Sequence, residues 1–271
     1  MLQRQERPRG ARRGRFMSMV AGFGFALGAV GWLAVNEQGR RARVALRAAM
    51  QRTAPPTRQW LGRVWEWWMR GWRDPWRGVR GQVTAAATGD VLEVGVGTWP
   101  NVRHYRNSGH LIGVEDQRSS VFLARQRARR YRPTARVEHA PSHSLPFPDA
   151  SFDTVVASLA LCTVRDQAAT LCEIARVLRP GGTLRFLEHV RSPNPSIAWL
   201  QRVLTPFWRI LADGCRMDRD TIQVIRAAGF TITELQPSRS GWWLTRPTFC
   251  GTAQPPPTAT PTSLHHTSEA L

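Results

Sequence analysis

Residues 90–102 read DVLEVGVGTWPNV. An apolar run closes on Glu93, and Gly95 and Gly97 follow it. A glycine has no Cβ, so two glycines after a strand let the backbone approach a ligand closely. The next apolar run ends at Glu115, eighteen residues after Gly97. A carboxylate at that place can accept hydrogen bonds from both hydroxyls of a ribose. Together these residues describe a nucleotide-cofactor cradle. Trp99 stands where such loops often carry a third glycine, and its bulk raises the question whether the cradle survives.

These residues need strands and helices to hold them. Short apolar runs over 91–94, 111–115, 136–139, 152–158, 183–188, 231–235 and 245–250 predict strands. Helical patterns over 119–130, 167–178, 198–211 (broken at Pro206) and 220–228 lie between them. Such alternation predicts an α/β fold: a doubly wound, Rossmann-like, seven-stranded and mostly parallel sheet with helices on both faces. LRPGG at 178–182 turns a helix end directly into a strand.

The chain divides further. Residues 1–15 form an arginine-rich head, and 16–35 (FMSMVAGFGFALGAVGWLAV) carry no charge. At about 1.5 Å per residue, such a helix covers roughly one bilayer core of ~30 Å, which predicts a hydrophobic membrane anchor. Residues 36–79 are basic and tryptophan-rich. Trp60, Val64, Trp68, Trp72 and Trp76 recur every fourth residue between arginines, a stripe suited to a membrane interface or to a lid on the following domain. Asp74-Pro75 is placed to end that helix. Residues 80–250 hold the alternating strands and helices of the folded domain. Residues 251–271, rich in Pro, Thr and Ser, are expected to be a disordered tail.

Charge and cysteines bound the function. The 271 residues carry 38 basic and 19 acidic side chains, for a net charge of +19, and every one of those cations is arginine. This favours an anionic partner, either a phospholipid surface or nucleic acid. Cys162, Cys172, Cys215 and Cys250 form no Cys-x-x-Cys pair. They read as reduced thiols of a cytoplasm-facing domain, with Cys162 filling core and no zinc or other metal site.

In order, VLEVGVG, Glu115, LPFPDASFDTVV and RVLRPGGTLRFLEHV resemble the class I S-adenosylmethionine-dependent methyltransferases over about residues 88–250. SLALCTVRDQ, FLEHV, the DGC of Asp213 to Cys215 and RPTFCGTA resemble a membrane-bound methyltransferase-like branch that includes alkyl thiol methyltransferases. The resemblance implies S-adenosylmethionine as cofactor, bound by Glu93, Gly95, Gly97 and Glu115. Relatives carry an acid against the adenine amine where APSHSLPF has Pro141, which leaves Ser142 or a carbonyl for that contact.

The reaction implied is methyl transfer from a sulfonium to a small lipophilic or lipid acceptor: a thiol, an amine or a hydroxyl. His189 follows strand five at the C-terminal sheet edge and is the candidate catalytic base. Glu188, Asp213 and Cys215 are candidates for the acceptor pocket. Two other functions stay open. One is a nucleic-acid methyltransferase, favoured by charge but lacking an RNA-binding module or an Asn-Pro-Pro-Tyr-like motif. The other is a membrane-tethered binding protein with a degraded cofactor loop. The sequence leaves the oligomeric state open.

Overall fold

A computed structural model describes residues 74–241 and 243–256. The basic head, the hydrophobic segment, the tryptophan stripe before residue 74 and the tail from 257 lie outside the described residues.

The elements follow in the order α1 (Arg77–Ala85), β1 (Thr88–Val94), β2 (Asn107–Glu115), α2 (Arg118–Tyr131), β3 (Arg136–His139), β4 (Phe152–Ser158), α3 (Gln167–Val177), β5 (Leu178–His189), α4 (Pro195–Leu211), α5 (Thr221–Ala227), β6 (Thr231–Ser238) and β7 (Thr248–Gln254). All seven strands join one sheet of order β3-β2-β1-β4-β5-β7-β6. Only β7 is antiparallel, pairing with both β5 and β6.

Two apolar layers explain why this sequence folds this way. Val83, Val121, Ala124 and Ala128 of α1 and α2 pack on one face with Val91 and Val156. Leu171, Ile174, Val177, Ile222 and Ile225 of α3 and α5 pack on the other with Leu92, Val155 and Leu184. Neighbouring positions on β1 and β4 thus feed opposite layers, which is the two-residue period of a strand buried on both faces.

Several expectations are corrected. β5 begins at Leu178, which pairs with Phe152, and a register shift absorbs Pro180–Gly182. A Cβ on Gly182 would come 2.9 Å from the Arg179 carbonyl and 3.0 Å from that of Asp153, so glycine permits the approach. β7 starts at Thr248 and runs to Gln254 because β5 and β6 both pair with it that far. The first four residues assigned to the tail are therefore strand. Pro206 does not break α4, which continues for 17 residues with Arg202 and Pro206 both exposed. Trp76, the last member of the tryptophan stripe, is buried in the core beneath Gly241.

The strand order turns back between β1 and β4. Ligands of open α/β sheets bind beyond the strand C-termini at such a point. The segments 95–99, 115–117, 139–142, 158–162 and 188–190 all meet this edge.

Candidate active site

Trp99 resolves the question its bulk raised. Its backbone adopts φ 58°, the left-handed conformation that glycine favours. The indole turns into the core, fully buried, under β2. A Cβ on Gly113 would meet its ring at 3.0 Å. The indole N–H donates to Glu93 Oε2 at 2.6 Å. Tyr105 Oη–H donates to the same oxygen at 2.7 Å, and Asn101 Nδ2 donates to Oε1. Burial raises the Glu93 carboxyl above the ordinary range, opposed by the donors Tyr105, Asn101 and Trp99. Glu93, expected to touch the cofactor, instead spends both oxygens holding the loop that follows β1.

That loop is open where a ligand would lie. Gly95 and Gly97 have φ 63° and 55°. A Cβ on Gly97 would meet no atom within 4 Å, whereas one on Gly95 would strike the Ala160 methyl at 2.8 Å. The first glycine lets the loop pack on the β4 end; the second leaves free space.

Glu115 sits opposite. Gly97 N–H donates to its Oε2 at 2.7 Å and Gln117 N–H to its Oε1 at 3.0 Å. Burial raises its carboxyl to about 7, with the two backbone donors opposing. Beside it a cleft of about 250 Å³ is lined by Asp116, His139, Ala140, Pro141, His143 and Arg165. Ser142 is buried and is not among the lining side chains.

The far end of the edge is built from three segments. Glu188 is fully buried and takes no part in an open pocket. Its Oε1 accepts from Ala160 N (2.9 Å) and Leu161 N (2.8 Å), and its Oε2 from Cys162 N (3.1 Å). It shapes the turn after β4. Arg219 Nη1 holds the same turn through the carbonyls of Leu161 (2.8 Å) and Val164 (2.7 Å). Asp213, at φ 50°, accepts from Gln117 Nε2 at 2.8 and 2.9 Å, so the loop after α4 reaches back to the end of β2.

His189 is buried. Its Nε2 lies 2.7 Å from Cys215 Sγ, and its Nδ1 has no hydrogen-bond partner. Burial disfavours the charged ring, but the facing Cys162 sulfur and the Glu188 carboxylate outweigh it and raise the imidazole pKa. Cys215 Sγ lies 3.7 Å from Cys162 Sγ. Cys162, assigned by sequence to inert core, therefore meets the other two.

Comparison with known proteins shows the family. The profile of a family described as a methyltransferase domain matches residues 92–186. The thiol S-methyltransferase TMT1A of Homo sapiens is 34% identical over 169 residues, covering 60% of this chain and 69% of its own. The chain belongs to the S-adenosylmethionine-dependent methyltransferases. The human thiol S-methyltransferase TMT1B is 33% identical over 65% of this chain and 74% of its own. A S-adenosylmethionine-dependent methyltransferase from Thermotoga maritima shares the fold, with a TM-score of 0.54 at 21% identity over 70% of this chain and 94% of that one.

The methyltransferase cofactor fits the cradle on two counts. The space beside Gly97 is open, so a ligand can approach its backbone, and a buried carboxylate at the β2 terminus suits ribose hydroxyls. Sequence reasoning missed Asn101 and Tyr105 as partners of Glu93, Gln117 as the link to Asp213, and the approach of Cys162. None of these has a spacing signal: Asn101 and Tyr105 meet Glu93 through the fold of one irregular loop, and the other contacts join separate turns at the sheet edge.

Proposed function

We propose that this methyltransferase transfers a methyl group to a small lipophilic thiol at a membrane surface. The observation that carries this reading is an apolar face running into the cofactor edge. Along α4, Trp199, Phe207, Ile210 and Leu211 are exposed, and Trp243 is exposed as well. The helix leads directly into Asp213, which binds Gln117 beside Glu115. An exposed aromatic patch of this kind, with Arg202 and Arg209 on the same helix, suits a lipid interface. Apolar acceptors concentrate in the bilayer it would face. The thiol reading is supported by the relatives named thiol S-methyltransferases.

S-adenosylmethionine supplies an activated methyl on a sulfonium, with its leaving group built in. The chain's part is to bind, align and exclude water. Glu115 accepts the ribose hydroxyls, and the 95–97 backbone lies along the methionine portion. The cleft walled by Asp116, Ala140 and Pro141 takes the adenine. Glu93, through Trp99, Asn101 and Tyr105, positions the loop. Residues 160–162, 189 and 213–215 form the acceptor end. A catalytic domain on the cytoplasmic side, where thiols stay reduced, completes the reading.

A second reading is an amine acceptor in a lipid headgroup. The phosphatidylethanolamine N-methyltransferase of Cereibacter sphaeroides is 30% identical over 45% of this chain and 61% of its own. The test incubates detergent-purified protein with methyl-labelled S-adenosylmethionine and a panel of alkyl thiols, amines, phenols, phospholipids and RNA. Label in thiols alone supports the first reading. Label in phosphatidylethanolamine supports the second, and label in RNA defeats both.

A further inference from the structure

We propose that Cys162, His189 and Cys215 form a three-ligand site for a soft divalent ion, zinc by its chemistry, with a fourth position open to the acceptor's sulfur. Their ligand atoms all lie within 4.8 Å of one another. Two thiolates on a tetrahedral zinc, at Zn–S of about 2.3 Å, stand roughly 3.8 Å apart. The two sulfurs here are 3.7 Å apart. The His189 Nε2 to Cys215 Sγ distance of 2.7 Å is shorter than the ~3.5 Å a shared ion requires. Cys215 is only half-buried and lies in the loop after α4, so it is the ligand placed to move.

The scaffold around these atoms is built. Arg216 N–H donates to the Cys162 carbonyl at 3.0 Å, which ties the segments bearing the two cysteines together through the main chain. Glu188 and Arg219 clamp the Cys162 turn from both sides. A methyl added at Gly95 would strike Ala160, so Cys162 lies two residues along the chain from a residue packed on the cofactor loop. His189 fits ligation better than free-base work: its ring is buried and its Nε2 is already engaged. Its Nδ1 has no hydrogen-bond partner in the structure, a cost that the bond from Nε2 to the metal has to offset.

Two sulfurs and an imidazole select zinc among common divalent ions. Three protein ligands with an open fourth position are the pattern of catalytic rather than structural zinc. A thiol entering that position exchanges its S–H bond for an S–metal bond and releases the proton to water. No electrons are transferred. The acceptor is then held as a thiolate at neutral pH without a separate base. This last step rests on the thiol reading of the function.

The test uses reduced, chelator-stripped full-length protein in detergent, titrated with cobalt(II). One cobalt per chain is expected, with thiolate-to-cobalt charge-transfer absorption and the intense visible bands of a tetrahedral ion, displaced by zinc. Cys162→Ser and Cys215→Ser should each weaken binding at least tenfold and diminish the charge-transfer band, with circular dichroism unchanged for the half-buried Cys215 variant. Adding 2-mercaptoethanol should shift that band. Absence of a cobalt spectrum, a spectrum unchanged in Cys215→Ser, or one that 2-mercaptoethanol leaves unaltered overturns the proposal. Full thiol methylation by stripped protein also overturns it while the proposed function stands. Cysteine-dependent cobalt binding that responds to 2-mercaptoethanol, with no thiol ever methylated, sinks the function and keeps the site.

Discussion

Glu115 carries the sharpest consequence of a single residue's surroundings. Its carboxyl is raised to about 7 by burial, against an ordinary 4.5. Between those values the native chain binds more protons here than the unfolded chain does. Stability of the cofactor-free protein therefore falls as pH rises through that window. Cofactor binding runs the other way, because only the carboxylate accepts both ribose hydroxyls. Affinity for S-adenosylmethionine should drop toward tenfold per pH unit below about 7. Calorimetry from pH 8 to pH 5.5 measures this, and Glu115→Gln should bind more weakly throughout with a flatter profile; an unchanged slope removes Glu115 from the ribose. Trp99 gives the second prediction. Its indole is fully buried and satisfies Glu93, so Trp99→Gly should cost roughly 3–5 kcal/mol of stability. Trp99→Phe keeps most of the volume and removes one donor from a buried carboxylate, at about 1–3 kcal/mol. Denaturant unfolding distinguishes the two. Cofactor affinity in the folded Phe variant should stay within tenfold of the parent, because the ring faces the core.

At the scale of elements, α4 is the exception among the helices. The others bury an apolar stripe; α4 fully buries only Gln201 and Thr205 and exposes Trp199, Phe207 and Leu211. Its sequence periodicity is that of a packed amphipathic helix, so the pattern alone could not reveal that Trp199, Phe207, Ile210 and Leu211 stay exposed. If that face rests on lipid, Trp199→Asp with Phe207→Asp should weaken liposome binding at least tenfold and leave cofactor affinity unchanged, as read by co-sedimentation and calorimetry. Unchanged sedimentation assigns the face elsewhere. Among the parallel strands, β3 and β4 have the limits their sequence predicts. β4, buried along most of its length, has the limits its apolar run predicts, whereas β1 and β2 begin three and four residues before theirs because their first residues are polar or glycine and largely exposed. β7 was misplaced at both ends because an antiparallel strand between two partners includes Gly251 and Thr252, which carry no apolar signal. The site shows the same division. The glycines and Glu115 stand at strand termini in a fixed order, which local spacing reveals. Glu188 looked like a pocket acid because it too ends a strand, yet the β4 turn folds over it and takes both oxygens. Cys162, His189 and Cys215 come from three turns, and their meeting depends on the sheet order rather than on any spacing.

For the whole molecule the questions are where it sits and which charges hold it there. Among the described residues no helix is long and apolar enough to cross a membrane. The uncharged run over 16–35 lies outside them, and its sequence still supports an anchor of about one bilayer thickness. If the exposed side chains of α4 and Trp243 rest on lipid, as proposed, the catalytic unit has a second attachment, and its arginines would add attraction to anionic headgroups. Two attachments of different physics should separate in one experiment. Full-length protein should remain with membranes through a high-salt wash, because apolar burial is not weakened by salt. A chain lacking residues 1–50 should bind anionic liposomes weakly, and that binding should fall steeply with ionic strength, since exposed charges are screened over about 8–10 Å near physiological salt. Part of the residual binding should survive in neutral liposomes if the exposed tryptophans insert, and should vanish with the α4 double substitution. Full-length protein that stays in solution after lysis without detergent removes the anchor. A truncated chain indifferent to anionic lipid removes its arginines from the attachment and leaves their positive charge to be explained by another partner, with RNA the first to assay.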